Sequence, residues 1–138
     1  MSSATWKTAF SGDWATATDW TPSVVPNGTT DVLINAGVVT VTSETEAAHS
    51  ITVSSTSGAL EIGQGSTLLL GTTLLLSAGQ LDFGVQGSGT PGGTLQGGTI
   101  IANGGSVVST NGTLVGVTFQ GTLTAPGTFF NNLAIAGG

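Results

Sequence analysis

Thr94-Leu95-Gln96-Gly97-Gly98-Thr99-Ile100 returns 19 residues later as Thr113-Leu114-Val115-Gly116-Val117-Thr118-Phe119, with Thr, Leu, Gly and Thr in matching places and an apolar residue closing each copy. The same step of 19 joins Leu76, Leu95, Leu114 and Leu133. A fixed period near 20 residues, made of short β-prone pieces and Gly or Asn turns, marks a stacked solenoid. One coil of that length cannot bury its apolar side alone. Stacked at about 4.8 Å on the next coil, each strand gains hydrogen-bonded neighbours above and below.

A second column, Val39, Leu60, Leu81, Ile100 and Phe119, advances by steps of 21, 21, 19 and 19, and Val41, Ile62, Phe83, Ala102 and Gly121 follow two residues on. Side chains alternate along a strand, so both columns share one face and the residues between them point away. Those intervening residues are Thr40, Glu61, Asp82, Ile101 and Gln120, four of them polar, which suits an outer wall. Gly63-Gln64-Gly65, Gly92-Gly93, Asn103-Gly104-Gly105 and Asn111-Gly112 supply turns that accept positive φ. The pattern predicts an all-β chain, a parallel β-solenoid or β-helix with coils of about 19–21 residues. Each coil has room for two or three short strands.

The chain has 138 residues, of which 38% are hydrophobic, 23 are Gly and only 6% are charged. Such a length supports one domain with a substantial core, and so little charge is unlike ordinary disorder. One cationic side chain, Lys7, stands against seven Asp and Glu, for a formal net charge of −6. Nucleic acids and anionic membranes need clustered cations, so neither is an expected partner. Cysteine is absent, which removes disulfides and thiolate metal sites. The N-terminus carries no basic segment followed by an apolar run, and the longest aliphatic stretches are Leu68-Leu69-Leu70 and Leu74-Leu75-Leu76. No signal peptide or membrane span is expected, so an exported chain would use a signal-independent route or be an excised fragment.

Residues 1–31 break the pattern. Trp6, Trp14 and Trp20 all lie there, with Pro22 and Pro26, ahead of the first strand-like run at Val32-Leu33-Ile34. We read 1–31 as a cap over the first coil and 32–138 as the coils, because a solenoid end exposes unpaired edges and apolar core unless something closes it. The opposite end continues the repeat through Leu133 and Ile135 without a charged or amphipathic closing segment. That predicts association there, through further repeats of a longer chain or through self-association.

With these pieces placed, the chain resembles the N-terminal part of large bacterial secreted β-strand-repeat proteins, adhesin-like surface molecules built from long β-solenoids. The resemblance rests on Thr5-Trp6-Lys7, Ser11-Gly12-Asp13-Trp14, Asp19-Trp20, Val25-Pro26-Asn27-Gly28, Asp31-Val32-Leu33-Ile34 and the Gly93-Thr94-Leu95-Gln96-Gly97-Gly98-Thr99-Ile100 type of coil. It implies an extracellular or cell-surface location reached without a signal peptide. It brings no catalytic residue with it.

Parallel β-helices also include polysaccharide lyases and hydrolases, so chemistry has to be weighed. Arg is absent, and hydrolases need two carboxyl groups at a defined separation. Glu61 and Asp82 are the pair the repeat sets side by side, a calcium candidate if other oxygens complete six to eight ligands, and otherwise two hydrated surface acids. Asp13, Asp19 and Asp31 sit among the cap turns, as capping acceptors or a second calcium candidate. Trp6, Trp14 and Trp20 would form either a sugar-binding platform or, more in keeping with their size, the apolar core of the cap. His49 is the only histidine, so a Ser-His-Asp set is arithmetically available without any local motif. Gly84-Val85-Gln86-Gly87-Ser88-Gly89 lacks the Lys and helix of a phosphate loop. The pieces Thr40-Val41-Thr42 and Thr122-Leu123-Thr124 do not recur coil after coil, which leaves ice binding remote.

The expectation is therefore a non-enzymatic, extracellular structural or adhesive segment with no required cofactor. The alternative is a carbohydrate-binding or carbohydrate-processing module, with surface glycans as partners.

Overall fold

The computed structural model describes residues 2–7, 11–42, 45–63, 65–83, 93–109, 112–121 and 133–136. The chain winds through three strands per layer. The first layer holds β1 (Ser2–Trp6) and β2 (Gly12–Asp13), then a 3-10 turn at Ala17–Asp19 and β3 (Trp20–Thr21). Full coils follow: β4 (Thr30–Ile34), β5 (Val38–Val41) and β6 (Thr45–Ala48), then β7 (Ser50–Val53), β8 (Ala59–Ile62) and β9 (Thr67–Leu70). Next come β10 (Thr73–Leu76), β11 (Gln80–Phe83) and β12 (Thr94–Gln96), and then β13 (Thr99–Ala102), β14 (Ser106–Ser109) and β15 (Gly112–Val115). The last described layer contains β16 (Thr118–Gly121) and β17 (Leu133–Ala136).

Corresponding strands pair parallel and in register to form three walls. Sheet A runs β16-β13-β10-β7-β4-β1-β3, sheet B runs β14-β11-β8-β5-β2, and sheet C runs β17-β15-β12-β9-β6. Among the described strands only β3 is antiparallel to its neighbour, with Trp6 opposite Trp20. The fold is the parallel β-solenoid that the repeat predicts.

Alternate side chains fill the lumen because a strand's faces alternate. Ile51 and Leu74 stack in sheet A, Val39, Leu60 and Leu81 in sheet B, and Leu68, Leu95 and Leu114 in sheet C, all buried. Each such side chain contributes about 1.5–3 kcal/mol relative to exposure. Phe119 is packed against this core and is only partly buried.

Two columns expected from the spacing are corrected by the register. Leu95 does lie on Leu114, but its partner on the other side is Leu68, while Leu76 belongs to sheet A opposite Ala102. Leu133 pairs with Gly112, and Ile135 takes the place next to Leu114. Leu81 is followed by Val107, a step of 26, and Ile100 and Phe119 continue Leu74 in sheet A. Coils vary in length because their corner loops vary, so constant spacing does not by itself assign a wall.

One corner is held nearly constant. Gly37, Gly58, Gly79 and Gly105 each stand immediately before a strand of sheet B. The Ala59 amide donates to the Gly37 carbonyl, Gln80 to Gly58 and Ser106 to Gly79, at 3.0, 3.2 and 3.1 Å. Gly79 has φ +72, and a Cβ there would lie 2.3 Å from the Gly58 carbonyl oxygen. Close stacking of the backbone excludes any side chain at that point.

The first layer belongs to the stack. Strands β1 and β2 extend sheets A and B, and the boundary drawn at residue 31 falls within β4.

Candidate functional site

The outward row of sheet B runs Asp13, Thr40, Glu61 and Asp82, each in register with the next. The sequence places Glu61 beside Asp82, and the structure does the same. Ile101 and Gln120, expected in that row, lie in sheet A. Parallel strands about 4.8 Å apart bring the two carboxyl-bearing positions into electrostatic contact.

Their surroundings differ from those of hydrated surface acids. Asp82 is 2% exposed although it points away from the lumen. Its Oδ2 accepts a hydrogen bond from Gln80 Nε2 at 3.0 Å, while its buried Oδ1 has no partner. Glu61 Oε1 accepts from Thr40 Oγ1 at 3.2 Å. Burial, and then the charge of Glu61, push the Asp82 carboxyl up to about 7, and burial also raises Glu61. Thr40 was read in the outward row but not as a partner of Glu61, and Gln80 was not singled out in the sequence. Gln80 could have been, because two residues before Asp82 it lies on the same face.

The cap acids do not gather. Asp13 Oδ1 accepts from the Ala15 amide at 2.8 Å and its Oδ2 from Thr42 Oγ1, an arrangement that fixes the turn after β2. Asp19 lies in the 3-10 turn, where its carbonyl accepts from the Lys7 amide at 2.8 Å. Asp31 stands on the outer face of sheet A, in register with Ser50. Among the described residues no group of three or more His, Cys, Asp or Glu could hold a metal ion.

Asp31, His49 and Ser50 do meet, but not in a nucleophilic order. His49 Nδ1 lies 2.8 Å from Asp31 Oδ1, and Ser50 Oγ donates to the same oxygen at 2.7 Å. The hydroxyl therefore faces the carboxylate and not the imidazole, the reverse of what proton abstraction from serine requires. The Ser50 hydrogen bond, followed by that of His49, holds the Asp31 carboxyl below its ordinary range.

Trp6, Trp14 and Trp20 are 2%, 0% and 0% exposed. Trp20 packs edge-to-face on both others, with ring centroids 5.0 Å from Trp6 and 5.2 Å from Trp14. Its Nε1 donates to the Trp14 carbonyl at 2.8 Å, while the buried Trp14 Nε1 has no acceptor. The rings are core, and none offers a free face for a sugar to stack on. Nearby, a cavity of about 120 Å³ is lined by Ser3, Ala4, Pro22, Val25, Pro26 and Thr30, without aromatic or carboxylate side chains among these.

Thr45, Thr67, Thr94 and Thr113 form one outward row on sheet C, and Ser50, Thr73, Thr99 and Thr118 continue one on sheet A. These rows recur coil after coil, which the Thr-x-Thr pieces did not reveal. Beside the sheet C row run Ala47, Leu69, Gln96 and Val115. Thr122-Leu123-Thr124 and Gly84-Val85-Gln86-Gly87-Ser88-Gly89 lie outside the described residues.

No protein-family model, curated protein or solved structure matches this chain. Among the described residues, no helix is long and apolar enough to cross a membrane.

Proposed function

We propose that this chain is a non-enzymatic structural or adhesive segment of a secreted bacterial β-strand-repeat protein, exposed outside the cell. The observation that supports this most is the outer surface of sheets A and C, where rows of Thr and Ser alternate with aliphatic and amide side chains at one strand spacing. Hydrogen-bonded ladders make the stack stiff, and a repeated wall of hydroxyls and methyls offers many equivalent weak contacts. Among the described strands β16 and β17 are the outermost of sheets A and C, and we assign their edges to further repeats or to a second copy of the chain.

Adsorption to cell-wall and polysaccharide particles tests the adhesive part, with the single segment compared against two or four copies in tandem. Weak binding by one copy, strengthened on the order of 100-fold or more in tandem, is the expected result. Tight one-site binding on a glycan array, or turnover of a polysaccharide lost in Glu61→Gln, would replace this reading with a carbohydrate-directed module. Sedimentation at increasing concentration tests the edge assignment, with reversible association expected.

A further inference from the structure

Glu61 and Asp82 pose a charge problem that the fold does not answer with a cation. They are register neighbours on β8 and β11, and Asp82 is almost wholly out of water. The chain has no Arg. Lys7 Nζ is bonded to Ser23 Oγ at 3.1 Å, and His49 is engaged with Asp31 on sheet A. Around Asp82, strand β5 contributes Thr40 to the row, β14 has Val108 in register with it and β11 itself contributes Gln80, so Glu61 is the titratable group facing it among the described residues. Residues 84–92, which follow β11, contain no Asp, Glu, His, Lys or Arg.

Two adjacent carboxylates with no cation between them cannot both stay ionised in a dry place. One buried oxygen, Asp82 Oδ1, lacks a donor, and a proton on it would turn it into one. We propose that Glu61 and Asp82 hold a single proton between them, Asp82 donating through Oδ1 to the Glu61 carboxylate, and that this proton couples the cohesion of their two coils to pH. The proton comes from solvent on acidification and returns to it when the pH rises. A divalent cation would need six to eight oxygens, and the backbone carbonyls of these strands are engaged in the ladders.

The direction follows from the raised Asp82 value. The folded chain binds this proton more tightly than the unfolded chain, so the stabilisation is complete below the ordinary carboxylate range and is lost as pH rises through about 7. Thermal melts from about pH 5 to about pH 9 test this on the parent, Asp82→Asn and Glu61→Gln, with carbon NMR of the side-chain carboxyls as a direct readout. The parent melting temperature is expected to fall by roughly 5–10 °C between about pH 6 and pH 8. Asp82→Asn should be flat across that window and melt above the parent at about pH 8. Glu61→Gln should move the fall to lower pH. Both carboxyl carbons titrating near 4 would overturn the proposal, as would a parent melting temperature that does not change. A fall that persists in Asp82→Asn, which leaves Asp31 and His49 intact, would also overturn it. Adding about 5 mM calcium chloride at pH 8 should change nothing; a recovery seen in the parent and absent from Asp82→Asn would assign the pair to a metal instead.

Discussion

The first layer and the coils above it solve the same burial problem with different residues. From Val32 to Leu114 the lumen is filled mainly by stacked aliphatic side chains, with Phe83 in register with Ile62 among them. In the first layer, three indoles pack edge-to-face, and an antiparallel two-residue strand lies against β1. A repeating unit always leaves a face for its successor, so a stack ends only where the repeat is broken. Large rings and one reversed strand make that break, covering the edge of sheet A that another parallel strand would otherwise extend.

The largest expected effect attacks the aliphatic side of this comparison. Leu95→Asp puts a carboxylate into a fully buried position between Leu68 and Leu114, and loss of the cooperative fold by circular dichroism is expected. A variant that melts like the parent would refute the stacking of Leu95 between those two leucines. Trp20→Ala attacks the other side and should cost about 3–5 kcal/mol. Hydrogen exchange sharpens the comparison: if protection falls in β1 and β3 while β8 and β9 keep theirs, the first layer opens on its own. If all strands lose protection together, the indoles and the coils form one cooperative unit.

Smaller effects are expected at the corners. Gly79→Ala meets both a positive φ and the Gly58 carbonyl, and roughly 2–3 kcal/mol of destabilisation is expected from denaturant melts. Gly116→Ala has φ +62 and no atom within 4 Å of the added carbon, so only the backbone cost of about 1 kcal/mol should remain. Leu69→Thr, on the outer wall of sheet C, should stay within about 0.5 kcal/mol.

The fold class was legible because alternation and turns leave a clear mark on residues such as Val39-Thr40-Val41 and Leu60-Glu61-Ile62. Wall assignment was not. Thr67-Leu68-Leu69-Leu70 and Thr73-Leu74-Leu75-Leu76 are the same tetrapeptide, yet they form β9 in sheet C and β10 in sheet A. Nothing local separates them. What separates them is the number of residues in the intervening corners, which is free to change because loops lie outside the ladder. The Glu61 and Asp82 pairing was readable, since both steps from Thr40 fall where coil length is constant. The burial of Asp82 was not, because an outward position in a strand carries no record of what covers it. The His49 contact with Asp31 was hidden for a related reason: it joins β4 to the bend just before β7, and only the register shows that Asp31 and Ser50 are neighbours.

The stacking also fixes how such a chain measures distance. An α-helix advances about 1.5 Å with every residue. In this solenoid a whole circuit, 19 residues from Leu95 to Leu114, raises the chain by one strand spacing of about 4.8 Å. The circuit from Leu68 to Leu95 takes 27 residues and climbs the same amount. Height is therefore counted in circuits and not in residues, and an insertion at a corner widens the girth without lengthening the column. A protein that reaches far by this design must be very long in sequence, and its length tolerates loop insertions that would shift the reach of a helical stalk.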